Sequence, residues 1–126
     1  MPERKLSDAE LQIMEHFWQH GSMKSDALAT LVSNRGWKPT TLLTFLSRLV
    51  AKGMLAIEKQ GKANLYSPLV QRAEYARCEG QAFLQQLYGG SARDFLAAMV
   101  DGNALSAEEL SEMRRWLAQQ EVDEHD

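Results

Sequence analysis

The hydrophobic period of this chain changes at Gly53, and that change limits what it can fold into. In "WKPTTLLTFLSRLVAKG", residues 37–53, Leu42, Phe45, Leu46, Leu49 and Val50 fall on one face of a helix. Pro39 suits the first turn, where its missing N–H has no helical partner, and Gly53 suits the C-terminal cap. Beyond Gly53, "MLAIEK" and "ANLYS" alternate with a period of two on either side of "QGK". That pattern predicts a β-hairpin with Gly61 in the turn and two cations, Lys59 and Lys62, at its tip.

Two helices precede this unit. "LSDAELQIMEHFWQHG" opens with Ser7-x-x-Glu10, a capping box in which each side chain satisfies a free amide of the other residue. Leu11, Met14, Phe17 and Trp18 follow at helical spacing until Gly21. Ser25 and Asp26 can cap a shorter helix, with Ala27, Leu28, Leu31 and Val32 as its buried stripe, and "SNRGW" breaks it. From Val70 the chain returns to helix in three segments: "VQRAEYARCEGQAFLQQLYGG", "SARDFLAAMV", and one begun by a second capping box, Ser106-x-x-Glu109.

Composition narrows the class. The chain has 126 residues, enough for one domain or a small domain with an appended element. No apolar run approaches the roughly 20 residues of a membrane span. "MPERKLSDAE" turns polar where a signal peptide has its apolar core. The single cysteine, Cys78, cannot form an internal disulfide, and no Cys/His cluster accompanies it. A cytoplasmic protein without metal or cofactor is expected. The sequence contains no phosphate loop, nucleophile elbow or recognisable pair of catalytic carboxylates, so an enzyme is not expected.

The formal net charge of −3 averages two unlike halves. Residues 1–70 hold nine Lys/Arg, Arg4 among them, against six Asp/Glu; residues 71–126 hold five against eleven. Between Arg35 and Tyr66 six cations face a single acid, Glu58. Segregation of this kind signals interaction with a charged partner.

The face of the 39–52 helix opposite its apolar stripe indicates which partner. It carries Thr40, Thr41, Thr44, Ser47 and Arg48, where a solvent-facing helix gains more from Glu and Lys. In a major groove, hydroxyls hydrogen-bond base edges or phosphates and a Thr methyl meets a thymine methyl. The helix N-terminus around Thr40 and Thr41 suits a phosphate. Leu43, at the margin, meets either a thymine methyl or the core edge. In a helix-turn-helix, residues 23–33 would brace and residues 39–52 would read. Lys38, Thr40, Thr41, Leu43, Thr44, Ser47 and Arg48, with Lys59, Lys62 and Asn64 on the hairpin, are the expected DNA contacts. The expected fold is mainly α with a small β-hairpin. It comprises a winged helix-turn-helix domain over residues 1–69, a C-terminal three-helix dimerisation region over 70–120 and a flexible acidic tail over 121–126.

Leu84, Leu87, Phe95, Leu96, Met99, Leu110, Met113 and Leu117, with Phe83, carry more apolar surface than three short helices can shield. A homodimer is therefore expected, with its two reading helices about one DNA turn or a multiple apart. The competing use of the same fold is a protein-binding module whose Thr-rich face does not read DNA. His16 and His20, four apart, can share a metal but are more simply partly exposed helix histidines. Cys78, on an apolar stripe, is expected to pack rather than to sense redox state.

"LSDAELQIMEHFW" resembles the opening of the penicillinase-repressor family, a Ser/Asp-Ala-Glu turn and an amphipathic helix ending in Trp. "WKPTTLLTFLSRLVAKG" resembles that family's recognition-helix signature at Trp37, Pro39, Thr41, Thr44, Arg48, Leu49, Lys52 and Gly53. "NLYSPL" is similar to its third-strand ending, and "FLQQLYGGS" with "LSAEEL" to its dimerisation region. The resemblance spans roughly residues 6–118. It implies a winged-helix DNA-binding domain, a helical dimerisation tail and a homodimeric repressor on a palindromic double-stranded operator. Some relatives are inactivated by proteolysis at an Asn-Phe bond; this sequence has Ala98-Met99 at that place. The cysteine-rich C-terminal motif of copper-responsive relatives is absent from "QQEVDEHD". Neither an inducing partner nor a protease is legible.

Overall fold

The computed structural model describes residues 5–125, with side chains through residue 120. Arg4 and the acidic tail at 121–126 lie outside the described side chains. Helix α1, Asp8–His20, starts as the capping box predicts: the Glu10 amide donates to Ser7 Oγ (3.2 Å) and the Ser7 amide to Glu10 Oε1 (2.9 Å). Its buried face is Ile13, Met14 and Phe17, with Leu11 and Trp18 half-buried at the margins.

Strand β1, Met23–Lys24, follows Gly21, and its two residues carry no periodicity that a sequence reading can detect. Helix α2 is Ser25–Leu31, and a 3₁₀ turn, Ser33–Arg35, continues it. Two expectations are corrected here. Lys24, in extended conformation, is the N-cap; Ser25 is already helical, and Asp26 Oδ1 accepts from the Ala27 amide instead of capping. Of the predicted stripe, Leu28 and Val32 are buried while Ala27 and Leu31 are exposed, because only the narrow face carrying Leu28 and, four residues on, Val32 meets the core.

Helix α3, Pro39–Ala51, buries Leu42, Leu46 and Leu49. It ends at Ala51, and the cap lies one residue before the predicted glycine: Lys52 is the C-cap and Gly53 follows in the left-handed region, φ 77°. The Gly53 amide donates to Val50 O (3.0 Å) and the Met54 amide to Leu49 O (2.9 Å), the two bonds of a Schellman motif. The chain then enters β2, Leu55–Gln60, and returns as β3, Ala63–Pro68. The antiparallel sheet has the order β1-β3-β2, with Met23 opposite Tyr66 and Ile57 opposite the same residue on the other side. Leu55 is buried, but Ile57 is exposed, so the alternation read from sequence becomes solvent-facing after one residue.

Every buried side chain among the described residues lies between Leu6 and Val70. Helices α4 (Arg72–Tyr88), α5 (Ala92–Asp101) and α6 (Ala107–His125) bury no side chain among the described residues. The chain divides into two compact units, Met1–Glu79 and Gly80–Asp126. The start of α4 goes with the first unit because Tyr75 Oη accepts from the Leu6 amide (3.0 Å) and Arg72 Nε donates to Glu15 (3.0 Å). Within the second unit the rings of Phe83, Tyr88 and Phe95 meet one another at 5.4–6.0 Å. The second capping box is present, with the Glu109 amide on Ser106 Oγ (3.1 Å) and the Ser106 amide on Glu109 Oε1 (2.9 Å). Cys78 is exposed, which corrects the expectation that it packs: of the stripe it shares, Tyr75 meets the core of the first unit while Cys78 itself stays open to solvent.

Candidate nucleic-acid interface

Helix α3 presents a row of polar side chains because its apolar stripe is fully used by the core. Thr40, Leu43, Thr44, Ser47 and Arg48 are exposed and Thr41 is half-buried. Leu43, left open by the sequence, is 47% exposed, so it belongs to the outward row and not to the core edge. Lys38 is the N-cap and supplies no side-chain bond, so the amides of the first turn keep their donors. Thr44 holds a feature that sequence reading missed: its hydroxyl donates to Thr40 O (2.9 Å). The hydroxyl proton is thereby occupied, leaving Thr44 a methyl group and its oxygen lone pairs to offer a partner.

The hairpin gathers the other predicted contacts at its tip. Lys59 pairs directly with Asn64 across the two strands, and Gln60 with Ala63 closes the ladder. The loop between is Gly61-Lys62, with Gly61 at φ 62°, the positive value that a two-residue hairpin turn with glycine first requires. Lys59, Lys62 and Asn64 are all exposed.

The cations divide into two kinds. Lys52 is removed from the surface set: its Nζ donates to Glu10 Oε1 (2.6 Å) and Lys5 O (3.0 Å). Lys38, Arg48, Lys59 and Lys62 form no ion pair among the described residues, so their charge is available to an anionic partner. Arg35, which the sequence reading counted but did not assign, lies over Trp37, 5.2 Å from the ring centre.

The predicted dimer residues occupy the second unit. Phe83, Leu87 and Leu117 are exposed, Leu87 by 65%, and Leu84, Phe95, Leu96, Met99, Leu110 and Met113 are half-buried. Trp116, 59% exposed, and Val100 add to this apolar surface. Ala98-Met99 lies within α5. The rings of His16 and His20 lie nearly parallel, 6.4 Å apart, and no group of three or more potential ligands surrounds them among the described residues.

Three helices, a short first strand and a basic hairpin behind the third helix define a winged helix-turn-helix domain. The domain's backbone matches the solution structure of the DNA binding domain of the repressor BlaI with a TM-score of 0.53 and 34% identity, over 60% of this chain and 94% of that one. The family model described as penicillinase repressor matches residues 6–119, and the chain belongs to that family. It is 31% identical to the penicillinase repressor of Bacillus licheniformis over 110 residues, 86% of each chain. It is 25% identical to the methicillin resistance regulatory protein MecI of Staphylococcus aureus (strain N315) over 114 residues, 90% of this chain and 93% of that one.

Proposed function

We propose that this chain is a dimeric, sequence-specific repressor that binds a palindromic double-stranded operator through α3 and the hairpin. The observation that carries the reading is the exposed row of Thr40, Leu43, Thr44, Ser47 and Arg48 on α3 together with the exposed, unpaired cations of the hairpin tip in the same domain. The row supplies base-edge and methyl contacts, and Lys38, Lys59 and Lys62 supply phosphate contacts that fix register. Membership of a repressor family supports the same assignment.

Dimerisation through α4, α5 and α6 is supported by a simple asymmetry: the second unit has large apolar side chains and, among the described residues, buries none of them. A second copy covers Phe83, Leu87, Leu96 and Leu117 and doubles the reading surface, which gives the operator its two-fold symmetry. No helix among the described residues is long and apolar enough to cross a membrane, and a cytoplasmic site of action belongs to the proposal.

Selection of bound fragments from the source genome's DNA, read by sequencing, tests the reading. An inverted repeat among the enriched fragments is the expected result. Enrichment without any common sequence, or no retention of DNA at low salt, would overturn it.

A further inference from the structure

Arg35 closes the 3₁₀ turn that leads into α3. Its guanidinium lies over the Trp37 ring at 5.2 Å, and Trp37 meets Phe45 edge-on at 5.1 Å. Phe45 is part of α3, so two aromatic contacts tie the position of this cation to the reading helix itself. An exposed arginine ordinarily samples many rotamers. Here the ring holds the guanidinium face and leaves its N–H edge free to donate.

Nothing among the described residues neutralises that charge. The acid lining the same groove as Arg35 is Glu15, and its carboxylate accepts from Arg72 Nε, at 3.0 and 3.1 Å, and pairs with Arg72 rather than Arg35. A pre-positioned, unpaired, exposed guanidinium at the entrance to a DNA-reading helix has the chemistry of a phosphate clamp.

We propose that Arg35 is a DNA-backbone contact of this protein, held in place by Trp37 and distinct from the contacts on α3 and the hairpin; the proposal rests on the DNA-binding reading above. Arg35 contributes affinity and register but no base preference. Trp37 is a positioning residue that acts through it.

The test uses the full chain with the enriched fragment and a scrambled duplex of equal length, over a range of salt. Arg35→Ala, Arg35→Lys and Trp37→Leu are compared with Lys62→Ala, and thermal melts confirm that each variant is folded. Arg35→Ala is expected to weaken both duplexes alike, by about four- to eightfold per protomer between roughly 0.2 and 0.1 M salt (about 20- to 60-fold for a bound dimer), and to flatten the salt slope by about 0.9 per protomer. Arg35→Lys is expected to restore the slope, because the charge remains. Trp37→Leu is expected to lose affinity at an unchanged slope. If Trp37→Leu fails to fold, the two Arg35 variants decide alone. An unchanged slope in Arg35→Ala, while Lys62→Ala flattens it, overturns the clamp and leaves DNA binding standing. Failure of the unmodified chain to bind either duplex overturns both.

Discussion

Glu10 and Lys52 form an ion pair at 2.6 Å that joins the first turn of α1 to the end of α3. Glu10 is only 2% exposed and also receives the Ser7 amide, while Lys52 reaches past it to Lys5 O. The pair ties the end of α3 to the start of α1. Burial pushes the Glu10 carboxyl up, but the bond from Lys52 and the Ser7 amide outweigh it and hold the group below the usual carboxylate range.

Removing either partner has unequal consequences. Lys52→Met strands a buried carboxylate and is expected to cost roughly 3 kcal/mol, the low end for a broken buried pair because Lys52 is itself partly exposed. Glu10→Gln keeps an acceptor for Ser7 and frees a lysine that can turn to water, so a loss of about 1 kcal/mol is expected. Urea unfolding measures both, and equal losses would show that Glu10 is not held by Lys52.

The same pair predicts a pH dependence. A carboxyl whose folded pKa is depressed contributes stability that is fully present above its unfolded value, about 4.3, and lost as pH falls through the folded value. Unfolding free energy followed downward from pH 6 is therefore expected to fall more steeply in the unmodified chain than in Glu10→Gln. Parallel curves for the two would contradict the assignment.

Gly53 supports the junction between α3 and β2 from a left-handed backbone position, φ 77°. Gly53→Ala is expected to destabilise by about 1 kcal/mol, read from the urea midpoint, because a Cβ is disfavoured there.

Thr44 offers DNA no hydroxyl proton, since Thr40 O already takes it. Thr44→Ala is expected to erode discrimination between operator and random duplex by roughly 1–3 kcal/mol, whereas Thr44→Val, which keeps a methyl, retains most of it. Competition binding with the two duplexes separates the cases. Equal loss on both DNAs would show that Thr44 does not read sequence.

Leu96, half-buried on α5, is expected to lie in the dimer interface. Leu96→Asp should sediment as a monomer and bind the operator far more weakly, since each half-site is then held alone. A dimer in that variant would move the interface elsewhere.

Helix periodicity and the glycine-centred hairpin were legible because each rests on local spacing, and so was the outward row of α3. Strand β1 was not, because two residues have no period and pair only through Tyr66 and Leu65 far along the chain. The Glu10–Lys52 and Arg35–Trp37 contacts were equally hidden: the first joins residues 42 apart, and the second depends on the turn of a 3₁₀ segment. Cys78 was misread because an apolar stripe shows which residues cluster on a helix, not whether anything covers them.

The interface is tested most directly by amide chemical-shift mapping of the labelled chain as the enriched duplex is added. The largest changes are predicted at Thr40, Thr44, Ser47 and Arg48 on α3 and at Lys59, Lys62 and Asn64 on the hairpin. Changes concentrated on α1 and α2, with α3 and the hairpin silent, would contradict it.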